Sequence, residues 1–136
     1  MFRNIVVPID LSHPEWAQGA LAHVEGFGDD KVTITILHVM EPVPSYVASQ
    51  LPEDLLTANR ARALKQVEQF ASDAGSNVQA KVLIGHPASS ILEFAEKQNT
   101  DLIIIGSHRP GLKDYFLGST ASRVVRHAKC SVLVSR

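Results

Sequence analysis

Apolar residues follow two alternating rhythms along this chain. Asn4–Ile9 (NIVVPI) and Leu102–Ile105 (LIII) are continuous apolar runs, as expected of central strands covered on both faces. Val32–Val39 (VTITILHV) is β-branched and mostly apolar. Val78–Ile84 (VQAKVLI) alternates and so belongs nearer a sheet edge, and Ser131–Ser135 (SVLVS) is short and terminal. Between these runs the apolar spacing changes to three and four. Pro14 opens one helical stretch with Ala17, Ala20, Leu21 and Val24 on a side. A longer helix is predicted over roughly Glu53–Ala74, with Ala63, Val67, Phe70, Ala71 and Ala74 on one face and Gly75 as its stop. Pro87 opens a third with Ile91, Leu92 and Ala95, and a fourth starts after Gly118 with Ala121, Val124, Val125 and Ala128.

Strands and helices therefore alternate strictly, which predicts one α/β domain over residues 1–136. Its core is a five-stranded parallel sheet of order 3-2-1-4-5 with helices on both faces. The segment Glu41–Pro52 (EPVPSYVASQLP) fits neither period and is a candidate lid. Trp16 and Tyr46 read as packing residues, with Tyr46 also placed to shield a ligand if that segment closes.

Composition narrows the function classes. The 136 residues carry 13 Lys and Arg against 14 Asp and Glu, so no nucleic-acid partner is expected. No run approaches the ~20 apolar residues of a membrane span, and MFRNIVVPID is too short in apolar residues for a signal peptide. The single cysteine, Cys130, fits a reducing cytoplasm and is expected to be packed rather than reactive. Six histidines, His13, His23, His38, His86, His108 and His127, show no metal-ligand spacing, so no metal centre is expected.

The candidate chemistry lies in GSHRPGLKDYFLGST, Gly106–Thr120. In an open α/β sheet ligands bind at the carboxyl ends of the strands where the order reverses, here between strands one and four. Strand one ends in Pro8-Ile9-Asp10, and strand four ends in Gly106. Gly106 is expected to let the chain turn with no Cβ in the way. Gly118-Ser119-Thr120 begins a helix whose free N–H groups and positive dipole end suit phosphate. Arg109 and Lys113 add charge, and His108 is the best functional histidine. The plainer alternative makes Gly118 a turn residue and Ser119 an N-cap. A carboxylate at the end of a central strand, as at Asp10, seldom serves packing.

Taken together, PIDLS, LHV, GHP and GSH…LK…LGSTASRVVRHAKCSVLVSR resemble the universal stress protein family over essentially the whole chain. The resemblance implies a Rossmann-like, adenine nucleotide hydrolase-like fold and binding of ATP or AMP, with Mg²⁺ as a candidate companion. It implies that Asp10 hydrogen-bonds the ribose, with Pro8 and Ile9 lining the same crevice, and that Val39 meets the adenine edge through its backbone. Gly106, Gly118, Ser119 and Thr120 would hold the ribose-phosphate part, with Gly85 ending strand three beside the pocket; Ser107, His108 and Arg109 of the same loop are further candidate binding residues. It also implies a cytoplasmic homodimer paired through the terminal strand Ser131–Ser135, an apolar edge free of Pro and Lys.

The chain departs from the family's G-x2-G-x9-G-[ST] loop. Arg109 and Pro110 stand where the second glycine falls, and eleven residues rather than twelve separate Gly106 from Gly118. Two outcomes follow: Arg109 contacts the β- or γ-phosphate by charge, or the polyphosphate lies differently. SHRP followed by LGS also resembles a short-chain subgroup of the family that binds ATP. Among other functions, efficient ATP hydrolysis is not expected. Asp10 is the one acid firmly at the site, Asp114 is a weak second, and no SGGxDS loop follows strand one. A flavodoxin-like carrier would place its phosphate loop after strand one, not strand four.

Overall fold

The computed structural model describes residues 2–27, 29–107 and 117–136. Five strands, β1 (Asn4–Ile9), β2 (Thr33–Met40), β3 (Val78–Ile84), β4 (Leu102–Gly106) and β5 (Ser131–Ser135), form one sheet of order β3-β2-β1-β4-β5. Every adjacent pair is parallel, as the alternation of strands and helices requires.

Side-chain alternation along the central strands builds two cores. From β1 and β4, Ile5, Val7, Ile9, Leu102 and Ile104 face one side, together with Ile34 and Ile36 of β2. That side is covered by α1 (Pro14–Ala22) through Ala17 and Ala20, and by α3 (Glu53–Ala74) through Ala63, Val67 and Ala71. Val6, Leu37, Ile103 and Ile105 face the other side, against α4 (Pro87–Lys97) and α5 (Ser119–His127) through Ala88, Ile91, Ala95, Ala121 and Val124. The alanines let the helices sit close to the sheet, and burial of the branched residues between them supplies the main driving force.

Local differences from the sequence expectations have simple causes. β2 begins at Thr33 rather than Val32, because the Val32 N–H is taken by Asp29 O at 2.9 Å. α1 ends at Ala22, and Val24 lies in a separate 3-10 turn, Val24–Phe27, still buried in the core. Gly75 ends α3 with φ 148°, a conformation that side chains resist. The Glu41–Pro52 segment holds one helical turn, α2 (Ser45–Ala48), too short to show a period in the sequence. Tyr46 on that turn is 72% exposed, contrary to the expectation of a packing residue. Cys130 is half-buried, and burial pushes its thiol above the usual range.

An acid missed by the sequence reading ties down the amino-terminal end of the sheet. The Asp101 carboxylate accepts the N–H groups of Arg3 at 2.7 Å and Asn4 at 3.0 Å, and the Asn4 side-chain amide donates to Gln98 O. Among the described residues no helix is long and apolar enough to cross a membrane.

Ile104 is wholly buried. Ile104→Ala is therefore expected to cost about 2–5 kcal/mol, whereas Leu55→Ala, at an exposed position on α3, should stay within about 0.5 kcal/mol. Urea unfolding midpoints at constant slope measure both.

Candidate functional site

β1 pairs with β2 along its whole length, from Asn4↔Thr33 to Ile9↔His38. With β4 it pairs only at Ile5↔Leu102 and Val6↔Ile103. Beyond Val6 that ladder ends, and the chain leaves β1 and β4 for helices on opposite faces. A crevice of about 1290 Å³ opens at this point, somewhat above the ~300–1,000 Å³ usual for small-ligand sites.

One wall is the turn after β1. Asp10 is exposed, and its Oδ1 accepts the Ser12 N–H at 2.9 Å while its carbonyl accepts the His13 N–H at 3.0 Å. This turn holds the carboxylate at the mouth, and among the described residues its Oδ2 has no partner. Three residues after Asp10 the His13 ring stacks on the Trp16 indole, centroids 3.8 Å apart and planes 16° apart. On β2, His38 Nδ1 donates to Ile9 O at 3.1 Å. A carbonyl only accepts, so Nδ1 carries a proton in this contact. Val39 stands one residue past the last β1–β2 pair, where β1 no longer covers its edge.

The opposite wall is the end of β4 and the start of α5. The Ser107 N–H donates to Ser135 O at 2.8 Å, and the Gly118 N–H donates back to Ser107 O at 3.1 Å. These bonds close the base of the loop. Ser107 is 4% exposed, and among the described residues its Oγ has no hydrogen-bond partner. α5 carries no side-chain cap at Gly118, so the N–H groups of Ser119, Thr120 and Ala121 stand at the positive end of the helix with no acceptor among the described residues.

Pro8, Ile9, Asp10, Val39, Gly106, Ser107, Gly118, Ser119 and Thr120 all line this crevice. His108, Arg109, Lys113 and Asp114 lie outside the described residues. Gly85 does not line it. A Cβ there would meet Ser90 Oγ, so Gly85 serves its own close packing against Ser90 of α4, and His86, Pro87, Ala88 and Ile91 form that wall instead. Neither Gly106 nor Gly118 has a positive φ. Their glycines are therefore not required by the turn. Open space surrounds a Cβ built on Gly106, and one on Gly118 would meet Ser107 O at an ordinary 3.5 Å.

Sequence reading missed the aromatic pair His13 and Trp16, His38, His86, Glu41 and Arg123, all of which line the crevice. Arg123 was within reach of the pattern, since it falls four residues after Ser119 on one helix face. The others come together only through the sheet. Of Glu41–Pro52, the proposed lid, only Glu41 lines the crevice. Among the described residues no group of three or more His, Cys, Asp or Glu is placed to hold a metal.

The model of the universal stress protein family matches residues 1–136. The chain belongs to the universal stress protein family. A universal stress protein of Methanocaldococcus jannaschii is 35% identical over 139 residues, covering 98% of this chain and 82% of the relative. Universal stress protein G of Escherichia coli O157:H7 is 31% identical, with both chains covered in full. Among solved structures, universal stress protein UspA from Lactobacillus plantarum has a TM-score of 0.81 at 27% identity, covering 99% of this chain and 98% of that one. Two further universal stress proteins share the fold and were solved with nucleotides. One is in complex with cAMP (TM-score 0.67, 21% identity, covering 99% of this chain and 97% of that one). The other, from Archaeoglobus fulgidus, is in complex with dAMP (TM-score 0.70, 17% identity, covering 99% and 98%).

Within this universal stress protein, Gly118→Val is expected to leave the fold intact, because its Cβ has room beside Ser107 O. The branched side chain should block an anion from the α5 N–H groups. Calorimetric titration with ATP, alongside circular dichroism, checks this: a native spectrum with lost binding is expected, and undiminished affinity would remove α5 from the site.

Proposed function

We propose that the crevice binds an adenine nucleotide, ATP or AMP, and that the protein is a regulatory or sensing protein of stress response in the cytoplasm. The observation that carries this reading is a pairing of opposite chemistries across one crevice. At one wall an uncapped helix end and the buried Ser107 hydroxyl offer donors and positive potential to phosphate. At the other, the Asp10 carboxylate is held at the mouth with one oxygen unengaged, suited to accept hydrogen bonds from ribose hydroxyls. Apolar Pro8, Ile9 and Val39 line the same crevice and suit a purine. The cAMP and dAMP complexes of the two fold neighbours are in keeping with this reading, although at 21% and 17% identity those likenesses carry the fold alone. We read the protein as a binder rather than an efficient catalyst, with hydrolysis slow if present. Mg²⁺ would enter with the triphosphate, held chiefly by phosphate oxygens.

Purified protein should release an adenine nucleotide on denaturation, or, once emptied, bind ATP or AMP in calorimetry. Protein that carries none and binds none at millimolar concentration would refute the reading.

We also propose a homodimer paired through β5. That strand bonds β4 on one edge, and no described residue pairs with its other edge. Val132, Leu133 and Val134 there are half-buried in the single chain, and two copies about a two-fold axis would pair antiparallel into one ten-stranded sheet. Ser135 turns its carbonyl toward β4, where it accepts the Ser107 N–H. By alternation along the strand, Val134 turns its N–H outward. Val134→Pro should therefore remove an outward donor while sparing the β4 ladder. Sedimentation at micromolar concentration should give a dimer for the native chain and a monomer for the variant. A native monomer would refute the pairing.

A further inference from the structure

Arg123 is the one Lys or Arg among the described residues that lines the crevice. The other described charged groups on that lining are the carboxylates of Asp10 and Glu41, together with the titratable rings of His13, His38 and His86. Among the described residues Arg123 makes no ion pair, and its side chain is exposed. Its charge is therefore not committed to holding the fold together.

Its place on α5 directs that charge. Arg123 follows Ser119 by four residues, so the two share a helix face one turn apart. Helical side chains lean toward the amino terminus of their helix. A long guanidinium stem at this position reaches back toward the uncapped N–H groups of Ser119, Thr120 and Ala121. A single phosphate resting on those N–H groups and near the buried Ser107 hydroxyl already has its donors. A second and a third phosphate bring charge that the N–H groups no longer reach, and a planar, permanently charged fork suits it.

We propose that Arg123 is the residue by which this crevice prefers a nucleoside polyphosphate to a monophosphate. The inference rests on the nucleotide-binding reading above and adds to it which nucleotide is favoured and which side chain decides it. Arg123 positions and neutralises the outer phosphates and takes no part in holding the base or ribose.

The test titrates adenosine, AMP and ATP calorimetrically into the native chain, Arg123→Gln and Arg123→Lys, at low and at raised salt. Arg123→Gln should lose roughly tenfold or more in ATP affinity, the size of a hydrogen bond to a charged group. AMP should change by no more than about twofold and adenosine not at all. Arg123→Lys should recover much of the ATP affinity, and the salt dependence of ATP binding should flatten in the Gln variant. Thermal unfolding should stay unchanged in both variants, as for an exposed side chain with no ion pair among the described residues. Equal losses for all three ligands, or an ATP affinity unmoved by Arg123→Gln, would overturn the inference while leaving the binding reading intact. A native chain that binds none of the three would overturn both.

Discussion

Two neighbouring parallel strands, β1 and β4, must each be covered on both faces. The rest of the molecule follows from that requirement. Val6 and Ile103 point to one side of the sheet, and Ile5, Val7, Leu102 and Ile104 to the other. Neither strand can expose a face to water without losing much of its burial. The chain meets the requirement by sending the helix after β1 to one face and the helix after β4 to the other. The backbones diverge where they do so, and the β1–β4 ladder stops at Val6. The crevice is thus a by-product of covering the sheet, and it needs no special loop to exist.

What the crevice can hold is decided by groups that forgo internal partners. A side-chain cap on α5 would add a few tenths of a kcal/mol over glycine and occupy its free N–H groups, yet Gly118 supplies none. A buried hydroxyl without a partner costs about 1–3 kcal/mol, yet Ser107 Oγ has none among the described residues. Both lie on the same wall. Thr100 Oγ1 is also buried without a partner but lies away from the crevice, and nothing in the structure explains it. An unpartnered hydroxyl gains meaning at Ser107 because that residue belongs to the crevice lining, as do the residues at the start of α5. Stability forgone at a concave site, opposite a held carboxylate, is the physical mark of a place prepared for a ligand.

The same accounting separates the glycines. Gly75 answers to backbone conformation and Gly85 to close packing against Ser90, whereas Gly106 and Gly118 answer to neither. Their small size leaves room at the crevice wall. The aromatic pair His13 and Trp16 and the carbonyl-tethered His38 give the opposite side a defined shape.

Much of this was legible in the sequence. Continuous apolar runs at Asn4–Ile9 and Leu102–Ile105 pointed to doubly covered strands, and the helical spacings between strands pointed to parallel crossovers, which suit the observed order. Asp10 and Ser119 could be nominated because strand ends at a switch point are determined by topology, which periodicity reveals, whereas Val39 entered only through the family resemblance. Short or solitary features stayed hidden. A four-residue helix at Ser45–Ala48 shows no period, and the role of Asp101 depends on backbone N–H groups nearly a hundred residues away. The sequence by itself determined the layers, the strand order and the place of the crevice, because burial of apolar side chains at regular spacing is a local rule. Only the tertiary structure decided which side chains meet there. His13, His38, His86 and Arg123 are brought together by strand register and helix packing, and those depend on contacts between segments far apart in the chain.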